Sequence, residues 1–208
     1  MALRKNLKDY FNEYSFRRKF VHVFGGILFV IFINLNYPII QNNLLLMLIV
    51  SLIIAVLFSA YAKYQKPRFL MKIIELFDKP QDMISYPGRG AVYFIIGALF
   101  VIVFFDRSIA SAALLILVIG DPAAHFVGKY YGRKRLIVNP KKLLEGTIAG
   151  TVFGTIAAML FVPFPIAFFG AAFGMMAEAF ELEMFHLDDN FFIPFVSSIV
   201  MAMIESLV

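Results

Sequence analysis

Four carboxylates and four cations suggest a chemistry before any element is drawn. Asp121, Glu145, Glu178 and Asp189 are candidate ligands for a hard divalent cation, and Lys129, Arg133, Lys134 and Lys142 are candidate phosphate binders. Phosphoryl transfer needs this combination, because Mg2+ bridges phosphate oxygens while cations absorb their charge. Mg2+ takes a few carboxylate oxygens together with waters and phosphates. His22, with an ordinary pKa near neutrality, suits a general base or a hydrogen-bond partner of a substrate, and so does His125, one turn from Asp121. The plainer reading of either imidazole is a satisfied interfacial residue; His186, in an acidic loop, reads as solvated. Asp121 is the most telling group, because it closes an apolar run from Ile109 to Ile119. An ionisable residue there costs about 2.5–3.5 kcal/mol on insertion scales. Pro122 lacks a backbone donor and biases Asp121 away from helical geometry, which predicts a helix broken at Gly120-Asp121-Pro122. The competing reading is that Asp121 merely caps the half-helix starting at Pro122. Gly128-Lys129 lacks the earlier glycine of a P-loop and is followed by Tyr130, which excludes that fold. The absence of Cys excludes disulfides, thiolate metal sites and cysteine nucleophiles.

The elements that must position these groups read as membrane helices. Of 208 residues, 61% are hydrophobic and 16% charged, outside the composition of an ordinary soluble domain. Apolar runs that could cross about 30 Å of hydrocarbon lie at Phe20 to Tyr37, Leu44 to Tyr64, Gly90 to Phe105, Ser108 to Val127, Leu144 to Val162, Ile166 to Phe180 and Phe191 to Val208. The expectation is an all-α polytopic bundle of about seven spans, with six as the alternative count. No cleavage signal follows the polar first nineteen residues, so the first span is expected to stay as an anchor. Every Lys and Arg except Arg107 falls before the first span, between the end of the second (from Lys63) and the third, or between the fourth and fifth. Basic residues stay on the cytoplasmic side of short loops, which predicts a cytoplasmic amino terminus. The net charge of +5 then reflects topology and attraction to anionic headgroups, not nucleic acid. Phe69, Leu70, Ile73, Ile74 and Phe77 recur at helical spacing and predict an interfacial helix, and Tyr86-Pro87-Gly88-Arg89-Gly90 predicts a turn into the third span. No repeat or linker divides the chain, so one domain over 1–208 is expected.

This topology brings the polar groups to one leaflet. Asp121 lies roughly 12 Å inside the cytoplasmic boundary, counted back from Lys129 at about 1.5 Å per residue. His22, Glu145 to Thr147, Glu178 and Glu181, and Asp188 to Asn190 sit at the same ends of other spans. Asp121, His125, Gly128 and Gly132 share a helical face, as do Gly170, Gly174 and Glu178. Glycines at that spacing, including Gly146, Gly150 and Gly154, predict close helix contact.

Gly120-Asp121-Pro122-Ala123-Ala124 with Gly128-Lys129 and Gly132, followed by Lys142-Leu143-Leu144-Glu145-Gly146-Thr147, resembles the core signature of the CTP-dependent lipid kinases. That family includes dolichol, phytol and polyprenol kinases and the fungal-type diacylglycerol kinase. Arg18-Lys19 with His22 and Gly26, and Glu178 with Asp189-Asn190 and Pro194, resemble its terminal motifs. The resemblance implies transfer of the CTP γ-phosphate to the hydroxyl of a membrane lipid alcohol at the cytoplasmic face, with Mg2+ or another divalent cation. The catalytic residues expected are Asp121 and His22. The nucleotide set is Gly128, Lys129, Arg133, Lys134, Lys142, Gly146 and Thr147; the metal set is Asp121, Glu145, Glu178 and Asp189; His22 and Asn190 face the lipid substrate. One departure stands out: Leu143 occupies a position where a hydroxyl residue usually follows the lysine. Rival readings are a CTP-dependent cytidylyltransferase forming a CDP-lipid, and, further off, a transporter.

Overall fold

The computed structural model describes residues 2–35, 38–76, 78, 82–136, 139–140, 142–180 and 188–207. The regular structure of these residues is helical, with a single isolated antiparallel bridge between Arg135 and Leu143 among them. The helices are α1 (Ala2–Asn34), α2 (Pro38–Gln65), α3 (Arg68–Ile74), α4 (Asp82–Ser85), α5 (Arg89–Phe104), α6 (Arg107–Leu115), α7 (Asp121–Tyr131), α8 (Leu144–Ala158), α9 (Phe164–Phe180) and α10 (Asp189–Glu205). Two continuous helical stretches, Ile40–Gln65 and Arg107–Tyr131, are long and apolar enough to cross a membrane, while α5, α8 and α9 are apolar but shorter. They differ in setting: 78% of the apolar window in Arg107–Tyr131 is buried, against 11% in Ile40–Gln65. The first is therefore the central post of the bundle and the second an outer wall.

That central post corrects one expectation. The chain does not break at Pro122; α6 runs into α7 through a π-helical turn, Ile116–Gly120, and Asp121 has ordinary helical angles (φ −60°, ψ −47°). A wider turn before a proline makes room for the ring and for its missing donor, so the axis continues. Nor does Asp121 stand as the cap of a half-helix: the cap position is Gly120, and the Asp121 carboxylate is engaged by Lys19. Gly132, expected to continue the face of Asp121, lies one residue beyond the end of α7 in extended geometry.

Glycines set the closest helix contacts. A methyl group on Gly146 would lie 2.6 Å from the Ala124 carbonyl oxygen, and one on Gly150 would lie 3.0 Å from that of Gly120, so α8 meets α7 and the π turn backbone to backbone. The opposite face of α8 turns Ile148, Val152 and Ile156 outward. The α9 stripe packs the same way on α10: Gly170 faces Met201 and Gly174 faces Ser197. One apolar core, including Val30, Leu48, Val101, Leu114, Ala158, Met175 and Ile193, draws on helices from both ends of the chain. Around it, Phe20, Phe24, Leu46, Ile53, Leu57, Phe168 and Phe173 are among many large apolar side chains left exposed, a surface that suits lipid better than water. The stretch expected to form an interfacial helix is helical over α3, with Ile74 turned inward and Phe69 outward; Phe77 lies outside the described residues.

Candidate active site

Two buried ion pairs organise the polar end of the bundle. Lys19, on α1, donates to the Asp121 carboxylate at the start of α7, and both residues are buried. Lys142, in the segment before α8, lies 2.7 Å from Glu178 at the end of α9. Burial alone would lower the Lys142 pKa, but the carboxylates of Glu178 and Asp189 more than reverse this and hold the ammonium charged. Asp189, in the first turn of α10, completes the group: one carboxylate oxygen from each of Asp121, Glu178 and Asp189 lies within 4.8 Å of the others. Three oxygen donors without sulfur or nitrogen suit a hard cation such as Mg2+.

A cavity of about 460 Å³ opens beside this group. Its walls include Lys129, Lys142 and Thr147, with Gly128 and Gly146 letting backbone approach closely. Leu143 also lines it; its side chain fits against Gly132, where a Cβ would lie 2.5 Å from Leu143 Cδ1. An apolar packing contact thus occupies the position expected to carry a hydroxyl. Arg133 and Lys134 do not line the cavity and are exposed. Glu145 is likewise separate from the carboxylate group: both its oxygens accept from the Lys134 backbone amide at 3.2 Å. The loop's own need for an acceptor draws that side chain away from the cavity, because Lys134 N has no backbone partner among the described residues to satisfy it.

His22 and Asn190 line a second, small polar cavity of about 40 Å³ together with Asp121, Asp189 and Lys19. His22 Nε2 is buried with no hydrogen-bond partner among the described residues. His125 differs, because its Nε2 lies 2.8 Å from Ser15 Oγ. Glu181 and His186 lie outside the described residues.

The sequence alone offered Lys19 as a topology marker and as part of the Arg18-Lys19 terminal motif but not as a site residue, although its spacing of three from His22 places both on one helical face. It also missed the brace behind the small cavity. Asp78 accepts from the Gly88 and Gly90 amides, and Gly88 has φ +83°, a left-handed angle that suits glycine. Arg89 lies 3.5 Å from Asp82 and 3.7 Å from Asp188, and Asn190 Nδ2 donates to the Gly90 carbonyl at 3.1 Å. The starts of α5 and α10 are thereby tied together. Burial pushes the Asp78 carboxyl up to about 6, with the two glycine amides opposing the shift. The folded state then holds the proton more tightly than the unfolded chain. Its stabilising contribution is full below about 3.8 and is lost as pH rises through about 6. Asp78→Asn is therefore expected to remove that slope: calorimetric unfolding in detergent should show the variant gaining on wild type between those two pH values.

Comparison with known proteins sets this geometry in a family. A model described as "Cytidylyltransferase family" matches residues 7–208. The chain belongs to that family. Relatives of this cytidylyltransferase-family chain include "CTP-dependent diacylglycerol kinase 1" of Eremothecium gossypii, 26% identical over 54% of the chain and 43% of the relative. "Probable phytol kinase, chloroplastic" of Zea mays is 29% identical over 73% of the chain and 50% of the relative. "Phosphatidate cytidylyltransferase" of Aquifex aeolicus is 28% identical over 53% and 38%. The chain thus spans half or less of the length of these three curated relatives. No solved structure matches it.

Proposed function

We propose that this chain is a CTP-dependent lipid kinase, a single membrane-embedded domain over 1–208 of about seven spans with its amino terminus and site at the cytoplasmic face. The acceptor is a lipid alcohol of polyprenol, dolichol or phytol type, or diacylglycerol. The observation that carries the reading is the convergence of Asp121, Glu178 and Asp189 with Lys19 and Lys142 beside a cavity of nucleotide size. The names of the fungal and maize relatives support CTP and a lipid hydroxyl as substrates.

In this reading the triphosphate lies along Gly128, Gly146 and Thr147, with Lys129 and Lys142 meeting its charge. Asp121, Glu178 and Asp189 would hold the divalent cation. Mg2+, when bound, neutralises phosphate charge. The lipid hydroxyl oxygen forms a bond to the γ-phosphorus, the bond to the β–γ bridging oxygen breaks, and CDP leaves. The hydroxyl proton passes to His22, whose Nε2 has no competing partner among the described residues. Asp121, engaged by Lys19, positions rather than deprotonates. Asn190 holds the adjoining Gly90 backbone against α10.

The family description and the Aquifex relative's name favour a second reading, cytidylyl transfer to a lipid phosphate with release of pyrophosphate. The two move different phosphorus atoms. With CTP labelled at the γ or the α position, the lipid product should carry the γ label only; α label in the lipid would replace the kinase reading with the second.

A further inference from the structure

An apolar groove of about 240 Å³ lies between α1 and α5, lined by Gly25, Gly26, Ala91, Phe94 and Ile95, with His22 and Asn190 at one end. Both helices touch α6, but α1 rests also on the π turn while α5 leans chiefly on α10 and α2, and the groove lies between them. The two glycines differ in kind. A Cβ on Gly26 would lie 2.2 Å from Val118 Cγ2, so Gly26 is required for helix contact, whereas a Cβ on Gly25 meets no atom within 4 Å. The missing side chain at Gly25 leaves space rather than permitting packing, at a helix-propensity cost of up to about 1 kcal/mol. Phe94 forms a fixed wall, edge-on to His22 at 6.2 Å and to Phe29 at 5.4 Å between ring centres. On the outer side of α1, Phe20, Phe24 and Leu28 are exposed.

The groove leads to the chemistry. It shares His22, Gly90 and Asn190 with the small polar cavity, which in turn shares Lys19, Asp121 and Asp189 with the larger one. His22 Nε2, buried without a partner among the described residues, stands where apolar lining gives way to polar. Buried polar atoms are ordinarily satisfied, and an alcohol hydroxyl would satisfy this one. The volume lies below the roughly 300–1,000 Å³ of pockets that enclose a whole drug-sized ligand, so it holds only the first part of one chain.

Resting on the kinase reading, we infer that this groove seats the hydroxyl-bearing end of a single-chain, long-chain alcohol entering from the bilayer, and that Gly25 sets the width admitted. Full-length protein in lipid nanodiscs, photolabelled with a prenol bearing a diazirine near its hydroxyl, should be labelled on residues 22–26 and 91–95. Labelling confined to other segments, or displacement by diacylglycerol as effective as by unlabelled prenol, overturns the assignment. Gly25→Leu should raise the prenol KM about tenfold while the CTP KM stays within about twofold; a folded, active variant with unchanged prenol KM overturns the role of Gly25. Gly25→Ala adds one methyl to open space and provides a milder variant if leucine impairs folding; its prenol KM should shift in the same direction by less, and no shift counts against the proposal. Photolabelling needs no turnover. Failure of the kinase reading therefore shows as absent lipid phosphate in wild type, independently of where the label falls.

Discussion

Asp121→Asn should lower phosphoryl transfer on the order of 10²–10³-fold, the loss seen when one preorganised charged contact is removed from a site. The amide keeps the carboxylate's shape but neither its charge nor its full capacity as a cation ligand. A second effect accompanies the first, because Lys19 is buried against Asp121. Removing one partner of a buried ion pair costs about 3–5 kcal/mol, whereas removing both can be neutral. Lys19→Met combined with Asp121→Asn is therefore expected to unfold at a temperature nearer wild type than the single variant does, while remaining as inactive. Melting temperature and lipid-phosphate yield, measured on the same preparations, separate the two roles. Recovery of activity in the double variant would show that Asp121 serves only to neutralise Lys19.

Gly146→Ala should destabilise the protein by about 1–3 kcal/mol, the usual range for overpacking. The added methyl would lie 2.6 Å from the Ala124 carbonyl oxygen and 3.2 Å from Gly128 Cα. Both obstacles are backbone, so no rotamer change relieves them and α8 must move away from α7. That displacement carries Lys142 away from Asp121, and the CTP KM should rise with the loss of stability. Gly154 supplies the comparison within the same stripe, since a Cβ there meets its nearest atoms at an ordinary 3.5 Å. Gly154→Ala is expected to be neutral or to stabilise by up to about 1 kcal/mol through helix propensity. Equal effects at the two positions, by denaturation in detergent, would refute the backbone-contact account.

Much of the fold follows from local physics. Apolar length placed the expected third and sixth spans within two residues of the starts of α5 and α9, and of their ends. The glycine spacing on α8 and α9 foretold faces that meet neighbours closely. Pro122 was the misleading signal: its missing donor required an irregular turn, but sequence could not say whether the chain would break or widen. The buried packing of Ile116, Leu117 and Val118 holds the widened form in line.

For the candidate site, the sequence by itself determined the kinds of groups available: oxygen donors, ammoniums, two imidazoles near span ends, and no thiolate ligand. Helical periodicity also determined which neighbours within one helix share a face. Only the tertiary structure decided which acids meet. Asp121, Glu178 and Asp189 come from three different helices, α7, α9 and α10, and no spacing within one helix encodes their approach. Glu145 sits only three residues from Lys142 yet turns to accept from the Lys134 loop amide. Lys19 lies 102 residues from Asp121 and pairs with it because α1 packs against the π turn. A buried charge must find its partner in space, and helix packing, not position along the chain, sets where that partner stands.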